Sequence, residues 1–233
     1  MNTIIYLHGF NSAGNGNTAT LLQSALPRFN LISPTYTVQN PSLALIELKQ
    51  VLAESLKNCE TDDLIAIAGT SMGGFWSGFI SSFTGLPAVV INPALHPELQ
   101  LSRHIGKNKN FATNEEYEFT HENLEGYEQA SYLLAKLPVL KAKRIAILGG
   151  KDDLIDANVS KVELDSVADE IVWLDNMGHR IEEWAVPTIA DAISKTALPI
   201  KDLCSFAKNQ LSTNLGTFNL KSKNIPVKMK LTQ

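Results

Sequence analysis

The side chains that could carry out chemistry in this sequence begin with a serine between two glycines. Ser71 is the central residue of Gly69–Gly73, which reads GTSMG and matches the pattern Gly-x-Ser-x-Gly. A serine hydroxyl becomes a nucleophile when a base removes its proton, and this pattern is typical of serines that attack carbonyl carbons. Because Gly and Ser are common, about one chain in ten of this length carries the pattern by chance. The interpretation therefore depends on a base and an acid elsewhere in the chain.

A base and an acid follow in the order that such a site needs. His179 is the only histidine beyond the acidic loop that contains Asp152, and both residues follow predicted strands. An imidazole is an effective base when a carboxylate fixes its tautomer and orientation. Asp152 stands three residues after a glycine, as in common Gly-x-x-Asp loops, but Asp153 has the same spacing from the next glycine. We predict Asp152 as the acid, with Asp153 as the alternative and Asp156 as a helix cap or a surface acid.

Two backbone N–H groups could stabilise an oxyanion beside the serine. One belongs to Met72, the residue after the predicted nucleophile, and the other to Phe10, in the loop that follows the first strand. On the same loop we predict Asn11 as a substrate-binding residue and assign His8 a structural hydrogen bond rather than a catalytic role. For the loop after the first strand, the alternative is a plain strand-ending turn. For Ser71, the alternative is a tight turn in which the serine hydroxyl caps the next helix.

These residues require strands whose carboxyl ends meet at one edge of a sheet. The run Leu64–Ala68 is continuously apolar, as expected of a parallel strand that helices cover on both faces. Alternating strands and helices predict an α/β fold with a doubly wound, mostly parallel sheet of about six strands and helices on both faces. The predicted strands are Ile4–Leu7, Asn30–Ser33, Leu64–Ala68, Pro87–Asn92, Arg144–Leu148 and Glu170–Leu174.

Two segments do not fit this alternation. Residues 93–137, the excursion, are polar and acidic, and the pattern predicts a helix only from Tyr127 to Lys136. We interpret the excursion as a small cap or lid, with a solvated surface insertion as the alternative. Residues 197–233 carry six lysines and a single acid, Asp202. The sequence thus predicts a domain over 1–196 and a basic C-terminal extension that is a packed or solvated appendage.

Composition excludes several classes of function. The chain has 233 residues and a net charge of -4, which argues against a nucleic-acid-binding protein because counterion release needs a basic face. No stretch approaches the length of a membrane span, and Cys59 and Cys204 lack metal-ligand or redox spacing, so we expect a cytoplasmic protein with ordinary thiols. No pair among His96, His104 and His121 has convincing metal-ligand spacing, and we expect neither a metal nor a cofactor. The sequence does not predict an oligomeric state.

Four short motifs give the sequence a family resemblance. They are YLHGFNS at Tyr6–Ser12, GTSMGG at Gly69–Gly74, INP at Ile91–Pro93 and EIVW at Glu170–Trp173. Their order and spacing resemble the bacterial YqiA/YcfP-like group of small α/β-hydrolase esterases, from about residue 3 to about residue 195. The resemblance implies an α/β-hydrolase fold without the first strands of larger relatives. It also implies a serine esterase or thioesterase whose triad is Ser71, Asp152 and His179.

Three functions are compatible with these residues. The first is hydrolysis of a small-molecule carboxylic ester or thioester through an acyl-serine intermediate. The second is a non-enzymatic binding protein on the same scaffold, because some members of the resembling group have glycine in place of the serine. The third is hydrolysis of an amide or peptide bond by the same triad, which the sequence does not separate from ester hydrolysis.

Overall fold

The computed structural model describes residues 1–136 and 140–203. The described ranges contain nine strands. Seven belong to the main sheet, and β5 and β6 form a separate antiparallel hairpin. The strands are β1 (Thr3–Leu7), β2 (Asn30–Ile32), β3 (Leu64–Thr70), β4 (Ala88–Ile91), β5 (Gly106–Lys109), β6 (Glu116–Phe119), β7 (Arg144–Gly149), β8 (Glu170–Leu174) and β9 (Leu198–Pro199).

The main sheet is parallel along the order β2-β1-β3-β4-β7-β8, and the two-residue β9 pairs antiparallel with the start of β3. β3 lies between β1 and β4, and its residues Ile65–Ala68 are fully buried. Continuous burial on both sides of a strand is what a sheet covered by helices on two faces requires. The predicted fold class, a doubly wound and mostly parallel sheet, is confirmed.

Helices cover the two faces of this sheet. On one face α1 and α7 pack through buried residues such as Leu22 and Ile193. On the other face α2, α3 and α5 pack through Leu48, Trp76 and Tyr127, and α6 packs beside them. The helices are α1 (Asn17–Ala25), α2 (Pro41–Lys57), α3 (Met72–Thr84), α4 (Pro97–Gln100), α5 (His121–Lys136), α6 (Ala157–Leu164) and α7 (Val186–Thr196).

The excursion has more regular structure than its sequence predicts. It contains α4, the β5–β6 hairpin and α5, which begins at His121 rather than at Tyr127. The earlier start follows from reciprocal hydrogen bonds between Thr120 and Asn123. Thr120 N–H donates to Asn123 Oδ1 (2.9 Å), and Asn123 N–H donates to Thr120 Oγ1 (3.2 Å). Such a capping pair satisfies N–H groups of the first turn and fixes where a helix starts.

The sheet continues beyond residue 196, where the predicted domain ends. Leu198 and Pro199 pair with Ile65 and Leu64 of β3, and Leu203 is buried. Residues 204–233, which include Cys204 and most of the predicted basic extension, lie outside the described residues. No helix in the two described ranges combines the length and apolar composition that crossing a bilayer needs.

Candidate active site

Ser71 occupies the sharp turn between a strand and a helix. β3 ends at Thr70 and α3 begins at Met72. Between them Ser71 has φ 57° and ψ -118°, a conformation that costs a non-glycine residue about 1–3 kcal/mol. Its N–H donates to the Ile91 carbonyl (2.9 Å) and its carbonyl accepts from the Ala94 N–H (3.0 Å). These two bonds hold the strained residue against the end of β4.

The glycines on either side of Ser71 are required by close backbone contacts. A Cβ on Gly69 would lie 2.1 Å from the carbonyl oxygen of Gly73, and a Cβ on Gly73 would lie 2.0 Å from the carbonyl oxygen of Leu7. Both obstacles are backbone atoms in packed elements, so they do not move aside as a flexible side chain would. The Gly-x-Ser-x-Gly spacing is therefore a packing requirement of this turn.

His179 and Asp152 form a directly bonded pair. His179 Nδ1 lies 2.8 Å from Asp152 Oδ2 and 3.0 Å from Oδ1. The carboxylate side chain is 1% exposed and the imidazole 14% exposed. Since the ionised carboxylate can only accept, Nδ1–H donates and Nε2 is left as the basic nitrogen. Within the described residues Nε2 makes no hydrogen bond.

Hydrogen bonds keep the buried Asp152 carboxyl ionised. Burial raises its pKa, but the bonds from His179 and from the backbone N–H groups of Ile155 and Leu154 (2.9 Å each) together outweigh burial. The net result is a pKa below the ordinary value for aspartate. A carboxylate that is ionised at neutral pH can fix the tautomer of the imidazole and stabilise positive charge on it.

The two other acids of this loop point elsewhere. Asp153 is exposed, and its carboxylate makes no hydrogen bond within residues 1–136 and 140–203. Asp156 caps α6 by accepting from the N–H groups of Asn158 (2.9 Å) and Val159 (3.2 Å). The structure brings Asp152, and neither neighbour, to His179.

Ser71 and His179 open into the same cleft, which has a volume of about 690 Å³. Phe10 and Met72, whose N–H groups are predicted to bind an oxyanion, also line it. In the described part of the chain neither N–H donates a hydrogen bond. Ser71 Oγ makes no direct hydrogen bond to His179, and such bonds often tighten only when substrate is bound.

His8 is held in a structural role. It is buried, its Nδ1 lies 2.8 Å from the Gly9 carbonyl, and its Nε2 accepts from the Tyr36 N–H at 3.4 Å. Burial lowers the pKa of His8, so the ring is neutral at pH 7. This arrangement agrees with the structural hydrogen bond expected from the sequence.

Asn11 lines the cleft, but its side chain connects two segments of the protein. Its Oδ1 accepts a hydrogen bond from the Tyr117 hydroxyl, and its carbonyl accepts from the Phe111 N–H (3.2 Å). Burial raises the pKa of Tyr117 to about 12, so the phenol keeps its proton. Asn11 thus fixes the excursion to the loop after β1, and its contact with substrate stays a prediction.

Asn92 is a site residue that the sequence analysis missed. It is buried and has φ 40°. Its Nδ2 donates to the carbonyls of Gly178 (2.9 Å) and His179 (3.2 Å), and its Oδ1 accepts from the Gly149 N–H (2.7 Å). One amide therefore connects the end of β4 to the loops that carry the acid and the base. The motif INP contained this residue, but its partners are more than fifty residues away in the chain.

The excursion supplies the remaining part of the cleft. Seven of its residues line the cleft: Ala94, Gln100, Leu101, Arg103, His104, Phe111 and Ala112. His96 and His104 bond to Glu163 and Asn108 instead of converging. Among residues 1–136 and 140–203, no three His, Cys, Asp or Glu side chains cluster closely enough to hold a metal ion.

Comparison with solved structures identifies the class of fold. Est1E from Butyrivibrio proteoclasticus superposes with a TM-score of 0.65 at 13% identity, over 84% of this chain and 88% of that chain. Mouse alpha/beta hydrolase domain-containing protein 10 superposes with a TM-score of 0.61 at 14% identity, over 83% of this chain and 88% of that chain. An esterase from Pyrobaculum calidifontis superposes with a TM-score of 0.55 at 15% identity, over 84% of this chain and 76% of that chain. The chain has the α/β-hydrolase fold.

The family within this class follows from sequence. The model of the uncharacterised protein family UPF0227 matches residues 3–190, and the chain belongs to that family. A UPF0227 protein of Vibrio cholerae is 29% identical over 183 residues, which cover 77% of this chain and 92% of the relative. A UPF0227 protein of Vibrio vulnificus is 26% identical over 180 residues, which cover 77% of this chain and 91% of the relative. The resemblance to the YqiA/YcfP-like group is confirmed.

Gly73→Ala tests the backbone contact beneath Ser71. The new Cβ would meet the Leu7 carbonyl, so we expect the free energy of unfolding to fall by about 3 kcal/mol or more. Gly78→Ala is the matched control on the same helix, because its nearest neighbour would be Val90 Cγ1 at 3.8 Å. It should be neutral or stabilise by about 0.5–1 kcal/mol. Urea unfolding measures both, and equal losses would contradict the packing requirement.

Asn92→Asp tests the bridge between the loops. The carboxylate keeps the shape of the amide but places an oxygen against the Gly178 and His179 carbonyls, so unfolding should become easier by about 1–3 kcal/mol. Asn114→Asp is the control, because Asn114 also has positive φ (61°) but is exposed. Its stability should change by less than about 0.5 kcal/mol. Chemical denaturation that finds the two variants equally stable would refute the bridging role.

Proposed function

We propose that this protein is a serine hydrolase that cleaves a carboxylic ester or thioester through an acyl-Ser71 intermediate. The observation that carries the proposal is the shared cleft. Ser71, on strained backbone, and His179, already bonded to a buried carboxylate, both line it. The esterases and hydrolases among the structural neighbours support the class of reaction through the fold alone.

The chemistry follows from the two ring nitrogens. His179 Nε2 takes the proton from Ser71 Oγ as that oxygen bonds to the carbonyl carbon of the substrate. The imidazolium then donates this proton to the departing alcohol or thiol, which leaves an acyl-serine ester. In the second half Nε2 deprotonates a water molecule, and the resulting attack releases the carboxylic acid and regenerates Ser71. Asp152 stabilises the imidazolium in both halves.

The oxyanion formed in each half would accept from the N–H groups of Phe10 and Met72. Loss of one such donor typically costs about 3 kcal/mol of transition-state stabilisation. Since both donors belong to the main chain, substituting either side chain alters the shape of the cleft more than the binding of the oxyanion. The apolar side chains of Leu101, Phe111 and Ile155 line the cleft and suit an acyl group.

The strain at Ser71 distinguishes this proposal from a binding protein. Glycine adopts positive φ without steric cost, so a glycine at this position would relieve the strain. A binding module gains nothing from a strained serine that shares its cleft with an oriented imidazole. An amide substrate would use the same groups, and turnover of anilides against esters separates the two reactions.

Ser71→Ala is the direct test of the nucleophile. We expect the wild type to gain the mass of one fluorophosphonate adduct and to hydrolyse 4-nitrophenyl butyrate. The variant should lose the adduct and at least about a thousandfold in kcat. Ser24→Ala, at an exposed serine of α1, should behave as wild type. Turnover by Ser71→Ala at the wild-type rate would remove the assignment, and a folded wild type that gains no adduct would favour the binding protein.

Asp152→Asn tests which acid orients the base. The amide cannot hold the required tautomer of His179, so kcat should fall by about 10²–10⁴-fold while the protein stays folded. Asp153→Asn removes an equal charge one residue away and should stay within about threefold of wild type. Steady-state kinetics with circular dichroism as a folding control measures both effects. A larger loss in Asp153→Asn would assign the acid to Asp153.

A further inference from the structure

The charged side chains that line the cleft have one sign. Arg103 lies in the short 3-10 turn Ser102–His104 of the excursion, and Arg180 directly follows His179. No aspartate or glutamate of the described residues lines the cleft, although the chain has 24 acidic residues and 20 basic ones. The cleft is thus cationic in a chain whose net charge is -4.

The guanidinium groups of Arg103 and Arg180 make no polar contact with other described residues. Arg103 and Arg180 are exposed, and within residues 1–136 and 140–203 neither forms an ion pair or a side-chain hydrogen bond. Arg144 shows the contrast, because it is buried and donates to Ser81 (3.3 Å) and Ser82 (2.9 Å). An arginine keeps its charge at every physiological pH, and its planar fork matches a carboxylate or phosphate.

Both arginines are adjacent in the chain to histidines that line the cleft. Arg180 is the chain neighbour of His179, the proposed base. Arg103 is the chain neighbour of His104, whose ring centre lies 5.1 Å from that of Phe10. Burial lowers the pKa of His104, a hydrogen bond with Asn108 raises it, and the nearby charge of Arg103 lowers it. The net shift of this pKa is downward, so the His104 ring is mainly neutral at pH 7.

We propose that the ester or thioester hydrolysed in this cleft carries a negatively charged group, which Arg103 and Arg180 bind. The inference rests on the proposed hydrolase function and names its class of substrate. Apolar side chains such as Leu101 and Phe111 would hold the acyl chain, and the two guanidinium groups would hold a carboxylate or phosphate. The anion belongs either to the acyl half or to the alcohol or thiol half.

Three activated esters separate these possibilities. They are 4-nitrophenyl butyrate, which is neutral, mono-4-nitrophenyl glutarate, with a carboxylate on the acyl half, and 3-carboxy-4-nitrophenyl butyrate, with a carboxylate on the leaving group. The full-length wild type should show a kcat/KM for one anionic ester about tenfold or more above that for the neutral ester. The ester that is preferred identifies the half that carries the charge. No preference for either anionic ester would overturn the proposal.

Variants test whether the arginines cause the preference. In Arg103→Gln and Arg180→Gln the ratio of kcat/KM between the preferred anionic ester and the neutral ester should fall at least about fivefold, mainly through KM. Arg28→Gln, at an exposed arginine outside the cleft, removes the same charge and should keep the wild-type ratio. An equal fall in Arg28→Gln would show an effect of net charge and would refute the site.

Equilibrium binding separates the failure of this inference from failure of the proposed function. Titration of the Ser71→Ala protein with the same three esters needs no turnover by Ser71. Tighter binding of one anionic ester than of the neutral ester, weakened when Arg103→Gln or Arg180→Gln is added, supports the anion site even if the wild type hydrolyses no ester, in which case the hydrolase function fails alone. Ester hydrolysis by Ser71 with equal binding of all three esters leaves the hydrolase function standing and overturns the anion site.

Discussion

The close approach of two backbones at Gly73 is the constraint on which the rest of this structure depends. The first turn of α3 lies against the end of β1, where a single Cβ would come within 2.0 Å of the Leu7 carbonyl. α3 starts directly after β3, and Ser71 at the junction has positive φ. The serine side chain then faces the cleft at the carboxyl ends of the strands, where open α/β sheets bind their ligands.

Around this turn hydrogen bonds connect three loops to one another. Asn92 joins the end of β4 to Gly149 and to the Gly178–His179 backbone, while Asp152 bonds the imidazole and two N–H groups of its own loop. The Asn92 amide and the Asp152 carboxylate are buried, so leaving either without its partners would cost free energy. The position of the imidazole relative to the serine is therefore set by hydrogen bonds in the folded core rather than by the exposed surface.

The sequence was sufficient for the fold class because apolar runs and amphipathic helices alternate regularly. Pattern and chain order singled out Ser71 and His179 as candidates, and the structure places both at one cleft. It left Asp152 and Asp153 open, since the two have equal spacing from successive glycines and only the folded loop decides which carboxylate faces the imidazole. Asn92 was missed because its partners are distant in the chain. The predicted start of α5 at Tyr127 was wrong, because in the sequence the Thr120–Asn123 cap is a weaker signal than the apolar spacing after Tyr127.

In the proposed reaction Ser71 attacks a carbonyl carbon whose oxygen is bound by two main-chain donors. The decisive measurement is a crystal structure of the protein after reaction with a fluorophosphonate. We expect phosphorus bonded to Ser71 Oγ, with a phosphonyl oxygen about 2.7–3.1 Å from the N atoms of both Phe10 and Met72. An adduct on another residue, or an oxygen directed away from both N–H groups, would refute the proposed oxyanion site.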